Sequence, residues 1–166
     1  SGRRKCRLVL QGFSEPFEWD EGRSVDSPVA YQTTLRMLMA KAGKGEVVSQ
    51  RDVSVAFLQS SNYGPDERRR YCSYKMYKGA VERVYELLGP LYGQRSASRR
   101  WYETLASWLT SDAMGFVQGM NEPCMFRHPV TGLVVVVYVD DIITRGSQPA
   151  TDDFQEALGA QFVCTD

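Results

Sequence analysis

Two aspartates stand side by side at the end of an apolar run. Asp140 and Asp141 follow Leu133-Val134-Val135-Val136-Val137-Tyr138-Val139, and a carboxylate beside a fully apolar strand costs free energy unless water, donors or a cation compensate it. A divalent cation is one such compensation. Adjacent residues on a strand point to opposite faces, so a tight turn is required before both side chains approach one site. A third carboxylate, Asp52, stands at another strand end and could supply a further ligand of the hard, all-oxygen kind that magnesium takes. Three such groups suit two ions about 3.5–4 Å apart, one activating an attacking hydroxyl and one supporting a leaving oxygen, which is the chemistry of phosphoryl transfer. On spacing alone a plain polar β-turn is the better account of the Asp-Asp pair, because turns favour aspartate for local hydrogen bonding.

The elements that must position these residues follow from periodicity. Val47 to Asp52 reads as a strand, with Ala56-Phe57-Leu58 starting a short helical turn after it. Leu133 to Val139 reads as a second strand, with Asp140-Asp141 as its tip, Ile142 to Thr144 returning, and His128 to Gly132 as the preceding turn. Short strands are expected at Arg7 to Leu10, Phe116 to Gln118 and Cys124 to Arg127, and a hairpin at Tyr71 to Tyr77 with Val81 to Leu88. Ser27-Pro28 predicts a helix start, with Tyr31, Leu35, Leu38, Met39 and Ala42 on one face until Gly43. A second helix from Ser98 aligns Trp101, Leu105, Trp108, Leu109 and Asp112 and closes at Gly115, and a last one starts near Thr151 with Phe154, Ala157 and Leu158. Hairpins interrupted by long helices argue for an α+β fold, a mainly antiparallel sheet with helices on one face.

Composition bounds the alternatives. The 166 residues suit one domain or part of a larger one, with 43% hydrophobic and 24% charged residues, ordinary for a globular chain. Twenty basic and twenty acidic side chains cancel, so net charge gives no warrant for a polycationic partner. Cys6, Cys72, Cys124 and Cys164 form no CxxC pair and His128 is the only histidine, which argues against structural zinc and for reduced thiols. The longest apolar run is far below the roughly 20 residues of a membrane helix, so no membrane partner is expected. The chain opens on Ser1 and a basic cluster without a signal-peptide pattern, as expected for a segment inside a larger protein.

Several blocks, in order, resemble the copia-type LTR-retrotransposon reverse transcriptases. Tyr138-Val139-Asp140-Asp141 is the tetrad of reverse transcriptases, and Lys5 to Ser14 is similar to KARLVARGFSQ. Ser27-Pro28-Val29-Ala30 matches SPVA, and Thr33-Thr34-Leu35-Arg36 is similar to T-T-hydrophobic-R. Asp52 to Leu58 resembles DVKTAFL, Leu91 to Glu103 resembles LYGLKQAPRAWYE, and Pro123-Cys124-Met125-Phe126 resembles DPCLF. Within these blocks Gln11, Ser54 and Ser96 stand where the family has arginine, lysine and glutamine, and residues 59 to 88 barely resemble it.

The resemblance implies a reverse-transcriptase palm with part of the fingers: residues 1–26 in the fingers, 27–166 mostly palm, a fingers insertion near 60–100, and thumb and RNase H outside the sequence. It implies an RNA-directed DNA polymerase with Asp52, Asp140 and Asp141 as catalytic and metal-binding residues, Val53 beside them in the metal shell, and two Mg²⁺ ions or Mn²⁺ as cofactor. Lys5, Arg7, Val55, Ala56 and Phe57 would meet the deoxyribonucleoside triphosphate, Phe57 excluding a 2′-hydroxyl. Arg95, Arg99, Tyr138 and Val139 would meet an RNA or DNA template with its primer. A cytoplasmic virus-like particle or the nucleus would be the setting. A decayed or domesticated remnant, acting as a nucleic-acid-binding or interaction module, and an unrelated two-metal nuclease are the competing readings.

Overall fold

The computed structural model describes residues 7–75 and 77–165. Helix α1 spans Gln32–Ala40, and β1 spans Glu46–Val53 with a 3₁₀ turn, Ala56–Gln59, after it; β2 (Arg70–Tyr74) and β3 (Arg83–Leu87) follow. Then come α2 (Ala97–Leu109), β4 (Val117–Gln118), β5 (Met125–Arg127), β6 (Val134–Tyr138), β7 (Asp141–Ser147), α3 (Gln148–Gln161) and β8 (Cys164–Thr165). Two compact units result: residues 1–26 with 57–101, and residues 27–56 with 102–166.

The second unit contains a six-stranded sheet in the order β4-β5-β6-β7-β1-β8, antiparallel at every pairing. Strand alternation gives it two unlike faces. Val53, Phe126, Val135, Val137, Ile142 and Thr144 share a face and are all buried. α3 covers that face: the Arg51 guanidinium, which points there, donates to the Gln155 carbonyl at 3.0 Å. Val134, Val136 and Ile143 lie on the opposite face and join Ala30, Leu38, Tyr102 and Cys124 in one cluster, with Leu35 packed against it. Helices are therefore not confined to one side, because Leu35 and Leu38 of α1 belong to the cluster on the face away from α3. On that face Val48, Gln50, Asp52 and Tyr138 remain exposed, which leaves the end of the sheet near the hairpin open.

The first unit holds the two-stranded β2–β3 sheet, with Arg70 opposite Leu87 and Tyr74 opposite Arg83. Its interior is ionic. Arg70 is 1% exposed, paired with Asp20 at 3.3 Å and Glu67 at 3.7 Å, and lies over the Tyr63 ring at 4.3 Å.

Several expectations are corrected. Residues 7–10 form no strand; the Leu10 N–H donates instead to the Tyr92 carbonyl at 2.7 Å. α1 begins at Gln32 rather than at Pro28, because the Glu122 carboxylate accepts from the Tyr31 N–H at 3.0 Å and the Thr34 hydroxyl at 2.8 Å, satisfying the open helix end from a distant segment. It ends at Ala40, before Gly43, with Tyr31 and Met39 exposed. α3 begins at Gln148, with proline in its first turn. Asp141 is already in β7, so the hairpin tip is Val139-Asp140. β8 is an element that periodicity over two residues could not reveal.

Candidate active site

Register brings the first pair of carboxylates together. β1 and β7 run antiparallel with Asp52 directly opposite Asp141. The Val53 N–H donates to the Asp140 carbonyl at 2.9 Å, so the neighbouring Asp52–Asp141 pair is the close, non-hydrogen-bonded kind, with Cα atoms about 4.5 Å apart and side chains on one face. Like charges directly opposite on a sheet repel. Two donors offset this: Thr165, opposite Asp52 on β8, gives its hydroxyl to Asp52 Oδ2 at 2.8 Å, and Gln50 Nε2 donates to Asp141 Oδ1 at 2.8 Å. Ser54 and Thr165 hydroxyls are in turn 2.7 Å apart.

Asp140 is placed differently. It sits in the turn, exposed, and among the described residues no three acid, histidine or cysteine side chains are gathered closely enough to hold a metal ion. The structure thus joins two of the three expected carboxylates. Asp52 and Asp141 fit a hard divalent cation by donor chemistry and by opening onto the uncovered face. The expected Val53 side chain is buried on the opposite face, so only its backbone is available.

The turn itself is strained. Val139 has φ +59°, and Val55, two residues beyond β1, has φ +48°; for β-branched residues this left-handed region is a genuine outlier. Such strain persists only where surroundings over-determine it, and it concentrates at functional sites. Tyr138 and Val139 are each 36% exposed at this edge.

Of the residues expected to meet a nucleotide, Lys5 lies outside the described residues. Arg7 and Phe57 belong to the first unit and meet through a residue the spacing had not singled out: the Arg7 guanidinium lies 4.6 Å from the Tyr92 ring centre, and the Phe57 ring is 5.2 Å from the same ring. Ala56 is buried, and Val55 is exposed. Arg95 is engaged within its unit, donating to the Pro16 carbonyl at 3.1 Å and facing Glu15 and Asp20 carboxylates at 3.7 Å each. Arg99 donates to the Asp26 carbonyl at 3.2 Å. Ser96 is buried, and its hydroxyl accepts from Arg70 at 3.4 Å.

Burial would raise the Glu67 carboxyl, yet hydrogen bonds from Arg100 and the Gly64 N–H, together with the Arg100 and Arg23 charges, hold it below its ordinary 4.5. Glu15 is raised, chiefly by burial. Cys72, Cys124 and Cys164 are free thiols, and burial, then Glu122, pushes Cys124 up to about 12, which keeps it a protonated core residue rather than a nucleophile.

An antiparallel sheet that presents paired carboxylates beside a Tyr-Val-Asp-Asp turn defines the class as an α+β domain with an acidic hairpin edge. Residues 1–166 match the family model of reverse transcriptase (RNA-dependent DNA polymerase), and the chain belongs to that family. It is 29% identical over 153 residues to the retrovirus-related Pol polyprotein from transposon TNT 1-94 of Nicotiana tabacum, covering 87% of this chain and 11% of that protein. The Pol polyprotein from transposon RE1 of Arabidopsis thaliana is 30% identical over 150 residues, 89% of this chain and 10% of the relative. A Ty1-NL2 Gag-Pol polyprotein of Saccharomyces cerevisiae is 26% identical over 144 residues, 86% and 8%. These are the copia-type relatives that the sequence blocks led one to expect, and the chain spans about a tenth of their length. No solved structure matches it. Among the described residues, no helix is long and apolar enough to cross a membrane.

Proposed function

We propose that this chain carries the nucleotidyl-transfer site of an RNA-directed DNA polymerase, with Asp52 and Asp141 as its central ligands and Asp140 as the third carboxylate. The observation that carries this reading is the β1–β7 register, which sets two acids 89 residues apart in the sequence, Asp52 and Asp141, opposite each other on an open face. Gln50 and Thr165 orient the two carboxylates, and the Val139-Asp140 turn fixes the strand that bears Asp141. Asp52 and Asp141, with Asp140 and only the backbone of Val53 beside them, would hold magnesium or manganese, which would supply charge neutralisation at the phosphates and activation of a primer hydroxyl. Arg7, held on Tyr92, faces the triphosphate, while Phe57 excludes a 2′-hydroxyl and Val55 and Ala56 shape the backbone next to it. Tyr138 and Val139 support the primer end, and Arg95 and Arg99 lie along the template. On this reading residues 1–26 and the segment near 60–100 are fingers and the sheet-bearing unit is palm, within a polyprotein working in a cytoplasmic particle or the nucleus.

A non-catalytic remnant is the second reading. What favours it is Ser96, which stands where the family has glutamine and spends its hydroxyl on buried Arg70. Primer extension separates the two. In the longer polyprotein that carries this segment, Asp52→Asn is expected to lower Mg²⁺-dependent deoxynucleotide incorporation by at least about a hundredfold. Equal incorporation by both versions would overturn the polymerase assignment, and none by either would favour the remnant.

A further inference from the structure

Residues 102–126 and 146–166 carry seven acidic side chains and no lysine or arginine, in a chain of zero net charge. The two arginines that flank these stretches belong to the other face of the sheet: Arg127 and Arg145 each stand opposite Val134, away from α3. Arg51, which does reach α3, is spent on the Gln155 carbonyl. Within this acidic surface lies a cavity of about 210 Å³, with Met114, Phe116, Leu133 and Phe154 as apolar walls and His128 and Asp153 among its polar groups. Its rings are packed edge to face, Phe116 against His128 at 5.3 Å and against Phe154 at 5.7 Å. His128 Nδ1 accepts from the Thr131 N–H at 3.1 Å, so the neutral ring carries its proton on Nε2, which meets no acceptor among the described residues. Asp153 is exposed, and among the described residues no cation pairs with it.

We propose that this cavity is a docking site for a basic protein segment, which inserts one large apolar side chain and pairs its flanking lysines or arginines with Asp153 and the acids around it. The volume, below the roughly 300 Å³ at which sites for drug-sized ligands begin, takes one side chain rather than a whole ligand. Charge decides the rest. Asp112, Asp153 and Glu156 are all exposed and carry the negative surface beyond the cavity, along α3 and the turn after α2, so the occupant is a chain that continues past its anchor. The same surface repels phosphates and acidic peptides. His128 Nε2 offers a donor to a backbone carbonyl of the segment, and Val130, 87% exposed on the turn that carries Thr131, adds apolar contact. The cavity lies at the end of β6 away from the Val139-Asp140 tip and on the face opposite the Asp52–Asp141 pair, so a docked segment leaves those carboxylates uncovered. The inference goes beyond the polymerase reading and needs no divalent ion.

The test titrates the full chain, in EDTA, with three end-blocked peptides, Lys-Lys-Phe-Lys-Lys, Lys-Lys-Ala-Lys-Lys and Glu-Glu-Phe-Glu-Glu, followed by the NMR shifts of backbone amides. The first should bind saturably with a Kd of about a millimolar or below, moving the amides of Ala113, Thr131, Ala150 and Ala157. The alanine peptide should bind at least about tenfold more weakly, and the glutamate peptide should move nothing. Asp153→Asn should weaken the first peptide about threefold. Ala150→Leu and Ala157→Leu, which fill the cavity, should each weaken it at least about tenfold; should either fail to fold, the exposed Asp153→Asn still decides. Asp152→Asn, whose carboxylate is held by Gln148 outside the cavity, should bind as wild type does. Equal affinity for the phenylalanine and alanine peptides, equal losses in Asp152→Asn and Asp153→Asn, or unmoved amides at about ten millimolar of the first peptide would overturn the proposal. Binding of p-cresol as tight as that of the first peptide would also overturn it, by assigning a small-molecule site. Because EDTA is present throughout, failure here leaves the metal-binding claim for Asp52 and Asp141 untouched.

Discussion

At the scale of single residues, the structure concentrates strain and charge in different places. Val139 holds φ +59° at the tip of the hairpin, a conformation that costs an L-residue roughly 1–2 kcal/mol. Val139→Gly should therefore stabilise the folded chain by about 0.5–1 kcal/mol after the extra chain entropy of glycine is counted. Urea unfolding measures this, and a net loss would mean that side-chain packing at Val139 outweighs the backbone term. Glu67 is the charge counterpart. It faces Arg23, Arg70 and Arg100 and is held below 4.5 despite its burial. A depressed folded-state value means the carboxylate contributes stability above its unfolded value, near 4.5, and loses it as pH falls through the folded value. Glu67→Gln takes away the carboxylate that pairs with Arg100 and that buried Arg70 shares with Asp20, and should cost about 3–5 kcal/mol at neutral pH. Below pH 4.5 the gap between variant and wild type should narrow. A constant gap across that window would show that Glu67 acts through packing rather than charge.

At the scale of elements, two glycines from distant blocks explain each other. A Cβ on Gly12 would meet the Gly93 carbonyl oxygen at 2.1 Å, and one on Gly93, whose φ is +86°, would meet the Leu10 carbonyl oxygen at 2.0 Å. Backbone lies against backbone here, fastened by the Leu10 to Tyr92 hydrogen bond. Gly12→Ala is expected to destabilise the first unit by more than about 2 kcal/mol, since packed surroundings relax only partly. Hydrogen exchange of the Leu10 and Gln94 amides reads this, and unchanged protection would refute the close approach. Sequence periodicity was informative where an element depends on its own residues. β1, β6, the β2–β3 hairpin and the start of α2 have alternation or helical spacing strong enough to place them within a few residues, whereas α2 ends at Leu109, short of the expected stop at Gly115. It failed where a distant partner decides. The start of α1 depends on Glu122, some 90 residues away, and residues 7–10 look like a strand but find a single loop carbonyl instead of a neighbouring strand. Arg70 likewise closes an Arg-Arg-Arg run whose sequence gives no sign of burial; Asp20, Glu67 and Tyr63, gathered only by folding, make it an interior residue.

At the scale of the whole chain, family membership was legible because its blocks are ordered along nearly all 166 residues, whereas the site was legible only as residue types. That Asp52 and Asp141 share a face is a consequence of register, which neither motif specifies by itself. The same register leaves Asp140 in the turn and recruits Thr165, from a two-residue strand, to Asp52. The central claim is that this pairing makes a divalent-cation site. Its most direct test is Mn²⁺ titration of the full chain, with free Mn²⁺ followed by its electron paramagnetic resonance signal. Wild type should bind Mn²⁺ and be competed by Mg²⁺, while Asp52→Asn and Asp141→Asn each weaken binding at least about tenfold and Asp152→Asn, exposed on α3, leaves it unchanged. Equal Mn²⁺ affinity in all four proteins, or none in wild type at millimolar metal, would contradict the account.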